Sequence, residues 1–85
     1  LAPAAKAPSD VTIFTRKGCP HCSRAKAALT AAGYGYEELV LNRDYTDRTL
    51  RAVTRAKTFP QVYIDGQHIG GADDLEAWLK QRPAA

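Results

Sequence analysis

Val11-Thr12-Ile13-Phe14-Thr15-Arg16-Lys17-Gly18-Cys19-Pro20-His21-Cys22 is the stretch on which the fold turns. Its first five residues alternate β-branched and aromatic side chains, the mark of a strand. Arg16-Lys17-Gly18 breaks that pattern. Pro20 then suits the first position of a helix, where no backbone donor is needed. Downstream, Ala25, Ala28, Leu29 and Ala32 recur at i, i+3, i+4 and i+7 and give that helix one apolar stripe. Gly33 and Gly35 end it.

Tyr36–Leu41 reads as a second strand, bounded by Asn42-Arg43-Asp44. Thr46 to Arg55 is a weaker helical segment with Leu50 and Val53 facing inward, and Pro60 stops any continuation. Gln61–Asp65 and Gln67–Ile69 flank Asp65-Gly66, a dipeptide favoured in type I′ hairpin turns. After Gly70-Gly71, Asp73 with Glu76 resembles a capping box, and Leu75, Trp78 and Leu79 form the buried stripe of a last helix. The order β-α-β-α-β-β-α predicts an α/β fold: a parallel strand–helix–strand unit plus a hairpin, making a four-stranded mixed sheet with helices on both faces.

A chain of 85 residues supports one domain with a modest core, and 45% apolar with 25% charged residues is the balance of an ordinary soluble protein. No apolar run approaches the roughly 18 residues of a membrane span. The net charge of +3 is too small to argue for nucleic acid. Its distribution says more: Arg16, Lys17, Arg24 and Lys26 surround the cysteines, with no acid between Val11 and Tyr36. Residues 1–10 are rich in Ala and Pro, lack the apolar core of a signal peptide and read as a linker or flexible N-terminus. The domain is expected over residues 11–82, with 83–85 as a tail.

The two cysteines are three positions apart, so a bridge between them closes too small a loop to act as a structural staple. That usage suits a reducing, cytoplasmic setting. A zinc site needs four ligands, and His21 and His68 are the only histidines available. Two inert cysteines are the bland reading. Against it, a C-x-x-C at a strand-to-helix turn within a βαβ pattern signals redox chemistry. Cys19 falls at the helix start, where unpaired N–H groups and the helix dipole favour an anion. Arg16, Lys17 and a protonated His21 add positive potential, and Pro20 opens the helix. Cys22, one turn further in, is expected to keep a higher pKa and to act as resolving partner. Were the Cys19 pKa about 5.5, the thiolate fraction at pH 7 would rise roughly thirtyfold while nucleophilicity fell roughly twentyfold. What survives is leaving ability, which suits an exchanger of small thiols.

With Phe14 to Cys22, Thr58-Phe59-Pro60-Gln61-Val62 and Ile69-Gly70-Gly71-Ala72-Asp73-Asp74-Leu75 in this order and spacing, the sequence resembles the glutaredoxin family over roughly Val11 to Leu79. Leu50-Arg51-Ala52-Val53 and the following hairpin look most like glutaredoxin domains fused behind a peroxiredoxin. The resemblance implies a thioredoxin-like fold and a glutathione-dependent thiol–disulfide oxidoreductase acting through Cys19 and Cys22. It implies no bound cofactor and no metal, but glutathione, or a modified glutathione, as co-substrate. Arg16 matches the basic residue facing the glycine carboxylate of glutathione, with Lys57 as a second contact. Thr58, Phe59 and Pro60 match the cis-proline loop, which pairs backbone to backbone with the cysteinyl unit; the bland alternative for Pro60 is a simple helix stop before a strand. Gly71, Asp73 and Asp74 match the γ-glutamyl site, where Asp74 rather than Asp73 would take the ammonium. His21 stands where Tyr is common, Phe59 where Val is common, and Ala56 where a basic residue is often found. The partners implied are glutathione, glutathionylated or disulfide-containing proteins and a fused or docked peroxiredoxin, the isolated domain being a monomer. A dedicated electron-donor module for that peroxiredoxin is the alternative. Periplasmic oxidases share Cys-Pro-His-Cys but carry an inserted helical domain, and cluster-binding relatives use a single-cysteine site.

Overall fold

The computed structural model describes residues 10–81. The expected linker and tail therefore lie, Asp10 apart, outside the described residues. The elements are β1 (Val11–Thr15), α1 (Pro20–Ala31), β2 (Glu37–Val40), α2 (Asp47–Thr54), β3 (Gln61–Ile64), β4 (Gln67–Gly70) and α3 (Ala72–Gln81). They form one four-stranded sheet in the order β2-β1-β3-β4. β1 runs parallel to β2, with Phe14 opposite Leu39, and antiparallel to β3, with Ile13 opposite Val62. β3 and β4 form the antiparallel hairpin. This is the four-stranded mixed α/β sheet that the element order predicted, in the thioredoxin-like arrangement that the resemblance implied. No described helix is long and apolar enough to cross a membrane.

Strand alternation divides the interior in two. Val11, Ile13, Val62 and Ile64 pack with Ala25 and Leu29 of α1 and Ala72 and Leu75 of α3. On the other face Phe14, Tyr45 and Leu50 cluster with Leu39, Phe59 and Tyr63. Phe14 meets Tyr45 edge to face, 5.1 Å between centroids, and the Tyr45 hydroxyl donates to the Thr15 carbonyl at 2.7 Å. Asp65 and Gly66 both have positive φ, 50° and 83°, as the I′ turn requires. Asp10 is strapped to that turn: its N–H donates to Asp65 Oδ1 at 3.0 Å, and its carbonyl accepts the Asp65 N–H at 2.7 Å.

Two local expectations are corrected. Val53 does not face inward; it is 52% exposed, because α2 lays its Leu50–Thr54 line on the sheet and turns Val53 out. Thr54 tolerates burial because its hydroxyl donates to the Leu50 carbonyl at 2.7 Å. Nor does Asp73 cap the last helix. α3 begins at Ala72, so its third residue is Asp74, whose Oδ2 accepts the Gly71 N–H at 3.2 Å. Asp73 instead pairs with Arg24 of α1, which also holds Glu76 at 3.1 Å. Gly70 must be glycine: its φ is 120°, and a side chain there would collide with the Asp74 carboxylate.

Candidate active site

The loop after β1 turns at Gly18, φ 73°, and delivers Cys19 to the N-cap of α1 in an extended conformation. Pro20 is the first helical residue, as expected. The Cys19 sulfur does what a capping oxygen does elsewhere and accepts the Cys22 N–H at 3.4 Å. Both thiols are free and buried, Cys19 at 6% and Cys22 at 2% exposure.

Their acidities diverge. Burial pushes the Cys19 thiol up, but hydrogen bonds from Cys22, the Arg16 charge and the His21 N–H more than reverse this, leaving it below its ordinary value. Burial and the neighbouring Cys19 sulfur push Cys22 up to about 11. Arg16 thus supplies charge beside the sulfur, and His21 contributes its backbone N–H. A lowered thiol beside a raised one, within contact distance, can form a mixed disulfide at the first sulfur and close an internal disulfide with the second.

Two openings flank this pair. A cavity of about 480 Å³ is bordered by Arg16, Lys17, Cys19, Pro20 and Cys22 and, across from them, Lys26, Glu38 and Arg43. A smaller one of about 200 Å³ is lined by His21, Arg24, Phe59, Gly71, Asp73 and Asp74. Phe59 links them. Its carbonyl lies 4.0 Å from the Cys19 sulfur, and its ring lies 5.8 Å from the Arg16 guanidinium carbon. The Phe59–Pro60 peptide is cis. Lys57 and Thr58 border neither opening; Lys57 is exposed, and Thr58 is held by the Gln61 amide. Sequence reasoning missed Gln61 and Glu38 and read Arg24 only as part of the positive charge around the cysteines. The pairings of Arg24 with Asp73 and of Lys26 with Glu38 span 49 and 12 residues and have no local signal.

A family profile described as Glutaredoxin matches residues 11–69. The chain is 46% identical over 79 residues to "Hybrid peroxiredoxin hyPrx5" of Haemophilus influenzae, covering 93% of this chain and 33% of that protein's length. It is 41% identical over 70 residues to "Glutaredoxin 3" of Escherichia coli strain K12, covering 81% of this chain and 84% of that protein. A solved buckwheat glutaredoxin–glutathione complex superposes with a TM-score of 0.73 at 30% identity, covering 82% of this chain and 67% of that one. Taken with a thiolate-favouring cysteine at a helix cap, these similarities establish that the chain belongs to the glutaredoxin family of thiol–disulfide oxidoreductases.

Proposed function

We propose that the chain reduces glutathione mixed disulfides, and disulfides of proteins, through Cys19-Pro20-His21-Cys22. The observation carrying this reading is the N-cap position of the Cys19 sulfur, which accepts the Cys22 N–H while Cys22 itself is held near 11. The Cys19 thiolate attacks the glutathione sulfur of a glutathionylated substrate. A Cys19–glutathione disulfide forms, the substrate sulfur leaves as a thiolate, and solvent protonates it. A second glutathione thiolate then attacks the adduct, giving oxidised glutathione and regenerating the Cys19 thiolate. In the other branch Cys22, after losing its proton, displaces glutathione and closes the Cys19–Cys22 disulfide, which two glutathiones reduce.

The glutathione contacts follow from the same surface. Arg16 and Lys17 offer charge to the glycine carboxylate, with Lys57 exposed on the loop before Phe59. The first N–H groups of α3 lack intrahelical acceptors and suit the γ-glutamyl carboxylate. Asp73 and Asp74 each use one oxygen internally, on Arg24 and the Gly71 N–H, and keep the other for the ammonium group. The relative seen in complex with glutathione supports this assignment. Chemistry of this kind suits a reducing compartment such as the cytoplasm.

The test is a pair of variants assayed with glutathione and a small glutathione mixed disulfide. Cys22→Ser retains turnover, because the adduct is resolved by glutathione, whereas Cys19→Ser falls to background. Full activity in Cys19→Ser would overturn the proposal. The hybrid relative, of whose length this chain spans a third, supports a second reading as an electron donor to a fused or docked peroxiredoxin. Negligible turnover of the small mixed disulfide, with peroxide reduction restored by an added peroxiredoxin, would select that reading.

A further inference from the structure

Gln61 opens β3 directly after Pro60, and it is only 3% exposed. A buried amide must find partners for two N–H donors and a carbonyl oxygen. Here all are found. Nε2 donates to the Thr58 carbonyl and to the Thr58 hydroxyl, each at 3.0 Å, and Oε1 lies 2.7 Å from His68 Nε2 on β4. The Thr58 carbonyl can only accept, so the amide nitrogen must face it and the amide oxygen must face His68. His68 Nε2 therefore carries a proton. The imidazole is held flat against Tyr63, centroids 4.7 Å apart and planes 13° from parallel. Tyr63 in turn donates its hydroxyl to the Val53 carbonyl at the end of α2.

The consequence lies one bond away. The Thr58 carbonyl and the Phe59 N–H belong to a single peptide group, which is trans and planar, so the two point in opposite directions. With the carbonyl drawn onto Gln61, the Phe59 N–H is turned away from Gln61, and no described residue accepts it. Its own carbonyl lies 4.0 Å from the Cys19 sulfur. A hydrogen bond on the carbonyl also strengthens the N–H of the same group as a donor.

We propose that Gln61 and His68 form a positioning relay that aims the Phe59 N–H at the backbone of the substrate's cysteinyl unit. The inference rests on the glutathione-dependent reading above and assigns the residues that set its backbone donor. Neither residue touches substrate. His68 acts by fixing the amide orientation of Gln61: without its donor the amide can turn, which brings Oε1 against the Thr58 carbonyl and releases the peptide group.

Steady-state kinetics with a glutathionylated peptide and nitrogen-15 NMR of the same variants test this. His68→Phe keeps a ring to stack on Tyr63 but removes the donor; His68→Gln keeps a nitrogen close to the Nε2 position. Loss of one buried hydrogen bond predicts a KM increase of about tenfold in His68→Phe. The kcat and the alkylation pH profile of Cys19 stay unchanged, and His68→Gln recovers most of the affinity. Gln61→Glu, of the same shape, puts an oxygen against the Thr58 carbonyl and raises KM at least as far. In the wild type, neutral His68 shows its proton on Nε2, and the Phe59 amide resonance moves in His68→Phe. Unchanged KM in both His68→Phe and Gln61→Glu, a proton on Nδ1, or a KM rise matched by a shifted Cys19 titration would overturn the relay. If wild-type turnover shows no dependence on glutathione, the underlying reading fails instead. The relay then stands or falls on the tautomer and the Phe59 resonance alone.

Discussion

The Cys19 sulfur sits 3.4 Å from the Cys22 backbone nitrogen, and the second cysteine stabilises the first through its protonated thiol and then through its main chain. Alkylation separates the two roles. Burial opposes Cys19 ionisation, but the Cys22 hydrogen bonds and the Arg16 charge outweigh it. Cys19 is expected to react with iodoacetamide with an apparent pKa below the ordinary 9.0, and Cys22 only as pH approaches about 11. As pH falls through the lowered Cys19 value, the thiolate is protonated and the rate drops with it. Arg16→Gln moves the Cys19 profile to higher pH. A Cys19 that titrates at 9.0 or above removes the basis for the proposed chemistry.

A second prediction concerns the ion pair that borders the larger cavity. Glu38 on β2 accepts from Lys26 of α1 at 3.0 Å and from the Thr15 hydroxyl at 2.8 Å, and these bonds hold its carboxyl below the usual range. A depressed carboxylate contributes stability above its unfolded pKa and loses it as pH falls through the folded value. Glu38→Gln is therefore expected to cost about 1 kcal/mol at neutral pH. The difference from wild type should vanish in acid, as read by urea denaturation at both pH values.

Gly70→Ala forces a left-handed φ on alanine and drives its methyl group into the Asp74 carboxylate that caps α3. Strain and loss of the cap together are expected to cost about 2 kcal/mol. The KM for glutathionylated substrate should rise with it, since the start of α3 shifts. Thermal unfolding and kinetics on the same preparation check both.

Leu50 and Val53 lie one turn apart on α2 yet differ in setting, 1% against 52% exposed. Leu50→Ala is expected to destabilise by about 2–5 kcal/mol through the cavity it leaves. Val53→Ala is expected to cost about 0.5 kcal/mol or less. Equal losses would mean that α2 sits on the sheet with a different face.

What could be read from the sequence was local. Pro20 after Cys19, the Asp65-Gly66 turn and the alternation in β1 each act through neighbours in the chain, and each stands where expected. The departures are of a few residues or one rotation. A capping box is read by spacing alone; with α3 beginning at Ala72, Gly71 rather than Asp73 stands at the N-cap, and Asp74 rather than Glu76 makes the reciprocal bond. Val53 and Thr54 are equally compatible with an inward face beside Leu50; the Thr54 hydroxyl, satisfied inside its own helix, decides between them. The supports of the site were out of reach because their partners come from other elements: Arg24 with Asp73, Lys26 with Glu38, Gln61 with His68.

The strap between Asp10 and Asp65 fixes where the chain enters the sheet. β1 runs from there toward Cys19, and its five residues alone put roughly 16 Å between entry and sulfur. A partner joined at this entry would accordingly start from the end of β1 opposite the reactive sulfur. To be served by this domain it would have to reach around the molecule or meet a neighbouring copy, so reach as well as chemistry would set which of its thiols are exchanged.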